Sequence, residues 1–72
     1  MFIKKDGEKE IRKRMIDLDL KNSDVNEAAG YNTERGFKDF LTCIKRGRGY
    51  IKEDKLKKIE EKLGISLADY YG

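Results

Sequence analysis

Lys45, Arg46 and Arg48 stand around Gly47 and Gly49, and no acidic residue occurs between Asp39 and Glu53. Cations at that spacing suit a phosphate or another polyanion. A guanidinium fork grips two oxygens at once, and backbone N–H groups left open by the glycines add a concave nest of donors. Helix capping alone explains fewer of them: a cation near a helix C-terminus contributes about 0.3–1 kcal/mol, and three exceed what one helix end needs. Just upstream lies a second set, Thr33, Glu34, Arg35, Lys38, Asp39 and Thr42. Arg35 and Lys38 have the chemistry to reach guanine O6 and N7, and Glu34 or Asp39 to accept from a cytosine amino group. Arg35 leads this set. The competing account is that Glu34 and Lys38, four apart, simply pair on an exposed helix face.

Other chemistries are poorly served. The chain has no histidine, a single cysteine and no phosphate-cradling glycine motif ahead of a lysine and serine. It therefore lacks the parts for an ordinary zinc site, an imidazole-activated nucleophile or a nucleotide loop. No catalytic role and no cofactor is expected. Cys43, next to Ile44, reads as a small buried hydrophobe, and a lone thiol suits a reducing cytoplasm. The charges of Lys4, Lys5, Asp6, Glu8, Lys9 and Glu10 exclude a secretory or membrane-spanning run there, so a cytoplasmic protein with no membrane partner is expected.

These residues need elements to hold them, and 72 residues make one domain with a small core. Charge is unevenly spread. Residues 1–14 carry six basic and three acidic side chains and residues 32–58 nine and four, whereas 15–31 and 59–72 come to −3 and −2. Positive charge thus gathers around residues 32–58, the footprint of a phosphate-binding face. With 43% charged residues, an ordinary solvated surface is the plain alternative.

Apolar periodicity predicts five helices. Asp6 caps the first, which runs to about Leu18 with Ile11, Met15 and Leu18 inward. Asn22 caps the second, through Ala29, with Val25 and Ala29 inward and Gly30 at positive φ ending it. Asn32 or Thr33 caps the third, in which Phe37, Phe40, Leu41 and Ile44 recur at helical spacing. These aromatics read as core rather than as stacking platforms for bases. The fourth spans roughly 52–63 with Leu56, Ile59 and Leu63 inward, and Gly64 stops it. Ser66 with Asp69, and Ile65 with Tyr70, start a last short helix at Leu67. Met1–Lys5 is a small edge strand or an ordered arm. Gly36 costs roughly 1 kcal/mol of helix propensity; either it lets a sugar–phosphate strand approach, or the third helix begins only there.

Helix, short helix, glycine, helix, basic glycine turn, helix, short helix is an order that resembles the Cro and repressor-type (XRE) helix-turn-helix family, small regulators common in phages and mobile elements. "IRKRMIDLDL" with "NSDVNEAAGY" is similar to its first two helices, and "KLKKIEEKLGISLADYY" to its fourth and fifth. The resemblance spans about Ile11–Tyr71. It implies an all-α, compact five-helix, lambda-repressor-like domain with its helix-turn-helix unit at about 22–46. It also implies a sequence-specific transcription regulator, a repressor or Cro-like protein, bound to double-stranded DNA. The family's phosphate-touching amide at the start of the second helix falls on Asn22. Its small alanine falls on Asn26, a departure that sets a polar group where two helices approach, unless Ala28 or Ala29 takes over that contact. The first inward residue of the third helix is either Phe37 or Phe40.

Two function classes follow. The first is operator binding as a homodimer at a palindrome, with Tyr70 and Tyr71 of the last helix at the two-fold contact. The second is a protein-interaction module on the same fold, such as a phage-type inhibitor or antirepressor.

Overall fold

A computed structural model describes residues Met1–Gly72. The chain runs β1 (Phe2–Ile3), α1 (Lys5–Asp17), α2 (Asn22–Ala29), α3 (Gly36–Lys45), β2 (Gly49–Tyr50) and α4 (Glu53–Leu63), and closes with a single 3₁₀ turn at Ala68–Tyr70. It is a compact, mostly helical domain of 25 × 25 × 20 Å. None of its helices is long and apolar enough to cross a membrane.

Two expectations are corrected. The domain is not all-α, because β1 and β2 form an antiparallel ribbon with Phe2 opposite Tyr50 and Ile3 opposite Gly49. Nor are there five α-helices. The last segment makes one 3₁₀ turn because its backbone is drawn onto β1: Ile3 bridges Tyr71, Lys4 N–H donates to the Tyr70 carbonyl at 2.8 Å, and Gly72 N–H donates to the Phe2 carbonyl at 2.9 Å. A strand edge needs those partners as much as a helix would.

The apolar stripes face one another as their spacing predicts. Val25, Phe37, Leu41, Ile44, Ile59 and Leu63 are wholly inaccessible, Phe40 is 6% exposed, and Ile3, Ile11 and Leu67 close the core from the ribbon, α1 and the C-terminal segment. Leu18 departs from expectation. α1 ends at Asp17, Leu18 becomes its cap, and Asp19 takes φ +54°. Leu18 is then left 39% exposed, and Leu20 turns in against the core instead.

Helix starts also differ from the caps read in the sequence. Lys4 precedes α1, with Asp6 inside its first turn, where a carboxylate still complements the helix dipole. Lys21 precedes α2, its N–H bonded to the Asp24 carboxylate at 2.9 Å, and Asn22 is the first helical residue. α3 starts only at Gly36. Gly30, at φ +77°, ends α2, so residues 30–35 form a long turn and Phe37 is the first inward residue of α3.

Candidate nucleic-acid interface

The long turn is held by one side chain. Asn26 on α2 is 9% exposed; its Nδ2 donates to the Thr33 carbonyl at 2.8 Å and its Oδ1 accepts the buried Phe37 N–H at 2.7 Å. The amide thereby satisfies one of the orphan donors at the start of α3, which Arg35 does not cap with its own side chain. The polar departure at Asn26 is the clasp of the turn, and Ala29 is buried in the core.

Gly36 has an equally local reason. A Cβ there would strike the Tyr31 ring, with Tyr31 Cγ only 2.6 Å away. The missing side chain makes room for an aromatic of this chain, not for a sugar–phosphate strand. The half-buried Tyr31 lies under Lys55, whose Nζ sits 4.2 Å from the ring centroid, a cation–π contact. Burial, with a smaller contribution from Cys43, pushes the Tyr31 hydroxyl up to about 12. α2, the turn and α4 are thus tied together on one side of α3.

With Phe37, Phe40, Leu41 and Ile44 buried, the outward face of α3 carries Lys38, Asp39, Thr42 and Lys45. Arg35 and Arg46 flank its two ends, and Thr33 and Glu34 are exposed in the preceding turn rather than on the helix. The Thr42 hydroxyl donates to the Lys38 carbonyl at 3.2 Å, which leaves its lone pairs as the outward function. Cys43 is exposed, correcting the expectation of a buried thiol. It is Ile44's neighbour in sequence, but one residue turns a helix by about 100° and carries Cys43 off the apolar stripe.

The end of α3 is built to aim Arg48. Gly47 takes φ +75° and donates its N–H to the Ile44 carbonyl at 3.0 Å, and Arg48 N–H donates to the Cys43 carbonyl at 2.8 Å. This is the Schellman pair of bonds, which needs a left-handed residue at its centre. The same turn receives a distant cation: Lys5 on α1 lies with its Cε 3.3 Å from where a Gly47 Cβ would stand. The sequence reading missed Lys5 as a member of this group; the excess of positive charge in residues 1–14 was its only trace. Also missed was Tyr50. It directly follows Gly49 on β2, is 75% exposed and meets Phe2 edge-on at 5.3 Å.

The two ion pairs of the domain are Arg12–Glu8 and Lys57–Glu53. Lys5, Arg35, Lys38, Lys45, Arg46 and Arg48 take part in neither, and no side-chain hydrogen bond engages them. Two cations of α1 differ: Arg12 holds the buried Glu8, and Arg14 Nε donates to the Leu63 carbonyl at 2.7 Å, capping the end of α4.

Two further candidates lie elsewhere. Asn22 is exposed at the start of α2 and borders a hollow with Arg12, Met15, Ile16 and Leu20, near the carboxylate of Asp24. Tyr70 and Tyr71 are half-buried within the chain. The Tyr71 hydroxyl sits 3.1 Å from Glu60 Oε2, which also accepts the Leu67 N–H at 2.6 Å; Tyr70 packs over Gly7. No protein-family model, curated protein or solved structure matches this chain.

Proposed function

We propose that this chain is a helix-turn-helix module that binds double-stranded DNA, a small regulator of the Cro and repressor type on a lambda-repressor-like architecture. One observation carries the reading. Six cations on or beside α3 are left without any ionic partner in a chain that has 14 acidic residues to offer, and uncompensated positive charge on one face is what a polyphosphate backbone selects. In this reading α3 enters the major groove. Arg35, Lys38 and Thr42 face base edges, each good bidentate pair contributing about 1–3 kcal/mol of discrimination. Lys5, Lys45, Arg46 and Arg48 hold phosphates and set orientation without reading sequence. Two copies at a palindrome would double a reading surface that is short on its own. No catalytic step and no cofactor belongs to this reading.

A protein-interaction role is the second reading, favoured by exposed Glu34 and Asp39 among those cations, since carboxylates beside phosphates are costly. Selection from a randomised duplex library at two salt concentrations separates the two. DNA binding predicts enrichment of one palindromic sequence. It also predicts affinity falling with a log–log salt slope of roughly −3 to −4 per copy, about −7 for two copies on a palindrome, from four phosphate contacts per copy. Retention without enrichment, or with no salt dependence, would sink it.

A further inference from the structure

The ribbon of β1 and β2 offers a chemistry that α3 does not. Burial alternates along it: Ile3, Gly49 and Ile51 are buried, Lys4, Arg48, Tyr50 and Lys52 are exposed, and Phe2 is half-buried. Pairing continues past the strands, since the Met1 amino group donates to the Ile51 carbonyl at 2.8 Å and Ile51 N–H donates to the Met1 carbonyl at 2.9 Å. Phe2 and Tyr50 are then the adjoining pair without hydrogen bonds, in which opposed side chains stand closest. Their rings meet in a T-shaped contact, 5.3 Å between centroids and 61° between planes. Phe2 thereby steadies a tyrosine ring that is 75% exposed. Lys4, Arg48 and Lys52 enter neither ion pair of the domain, and Glu53, the first acid after Tyr50, is taken by Lys57. A steadied ring in water, framed by unpaired cations, fits a ligand that carries flat rings and anions along one chain.

We infer that this face of the ribbon binds single-stranded nucleic acid, one base stacking on Tyr50 while Lys4, Arg48 and Lys52 hold flanking phosphates. A duplex is the poorer partner here, because each base face in it is covered by the next pair. An anionic lipid surface needs a broad apolar face to bury, and only one ring protrudes. An acidic peptide would answer the cations but give the ring no flat partner. One platform takes one base, and every base has a π-face, so binding is weak and tolerant of sequence. Arg48 is the residue at which this face meets the basic end of α3; Lys4 and Lys52 belong to the ribbon alone.

The test uses the full chain with single strands that cannot pair with themselves, so its outcome does not depend on the double-stranded reading. Fluorescence anisotropy compares labelled octathymidylate with an abasic octamer carrying the same phosphates. Octathymidylate should bind at least about fivefold more tightly, the lower end of what one stacked base contributes. Tyr50→Leu and Tyr50→Thr, the second a good strand former, should both erase that advantage. Tyr50→Phe should keep it, since stacking uses the ring and not the hydroxyl. Lys4→Gln and Lys52→Gln should each weaken both octamers and flatten the log–log salt slope by about 0.7, one phosphate each on a single strand. Far-UV circular dichroism on the same samples checks that each variant is folded. An abasic octamer held as tightly as octathymidylate overturns the inference. So does an advantage undiminished in the folded leucine or threonine variant, or no binding up to the solubility limit. Octaglutamate held as tightly as octathymidylate, and weakened alike by Tyr50→Leu, would make an acidic peptide the partner and overturn it too.

Discussion

Replacing Asn26 by alanine tests how the long turn is held. The substitution removes two hydrogen bonds of unequal consequence. The Thr33 carbonyl lies in an exposed turn and can turn to water, so its bond is worth about 0.5–1.5 kcal/mol. The Phe37 N–H is buried and has no substitute acceptor, so it bears the desolvation cost of about 1–3 kcal/mol. Together the loss is ~2–4 kcal/mol. Stability of ~0.05–0.15 kcal/mol per residue gives a domain of this length roughly 4–11 kcal/mol in all, so one amide carries a large share.

Asn26→Ala should therefore lower the thermal midpoint by ~10–25 °C, at about 4–8 °C per kcal/mol for a domain this small, and reduce the urea midpoint by more than ~1 M. Asn26→Asp should fall between the two. Its carboxylate still accepts from Phe37 N–H and suits the N-terminal end of α3, but it has no donor for Thr33. Loss of less than ~0.5 kcal/mol in the alanine variant, read by circular dichroism during urea unfolding, would refute the clasp: it would mean that water or another acceptor reaches Phe37 N–H.

Further outcomes follow from other contacts. Gly36→Ala should destabilise by ~1–3 kcal/mol through overpacking against Tyr31, although alanine is the better helix former; a raised melting temperature would show the ring free to move. The raised Tyr31 hydroxyl keeps the folded chain protonated where the unfolded chain ionises. Its contribution to stability is complete below pH 10.0 and is lost as pH rises toward about 12; the difference in urea stability between the natural chain and Tyr31→Phe should shrink across that window. Exposed Cys43 should react with an aromatic disulfide reagent in the native state at a rate close to that in denaturant, and Cys43→Ser should leave the fold intact. Protection of the native thiol would restore the buried reading.

Some of this was plain in the sequence and some was not, for physical reasons. The stripe of Phe37, Phe40, Leu41 and Ile44, like that of Leu56, Ile59 and Leu63, was legible because burial repeats with the helix turn. Leu18 fits the period of α1, yet the helix stops one residue before it; where a helix ends is settled by Asp19 and by Leu20 turning inward, not by periodicity. Two-residue strands have no period at all, and Phe2–Ile3 meets Gly49–Tyr50 across the 45 residues of chain between them, 4–48. The strongest miss is Asn26. An amide in a helix of eight residues looks like a flaw in the core until the residues it bonds, Thr33 and Phe37, are brought to it. Gly36 admits two readings in the sequence because the deciding atom belongs to Tyr31. For the basic face the types and local spacing were legible, but Lys5 joins it only through tertiary packing.

The surface divides into two parts of different charge, and that division is open to experiment. Cations near α3 and the Gly47 turn carry no partner, while on α1 Arg12 and Arg14 are spent internally and the carboxylates of Asp17 and Asp19 flank the exposed Ile16 and Leu18. If phosphate is held by the first group alone, Arg46→Ala with Arg48→Ala should flatten the salt slope of DNA binding by about 2 per copy, one phosphate each. Ile16→Glu should leave that slope unchanged, since its carboxylate appears where no phosphate is held. A slope altered by Ile16→Glu would mean that phosphate reaches the α1–α2 corner, and the division drawn from the charges would be wrong.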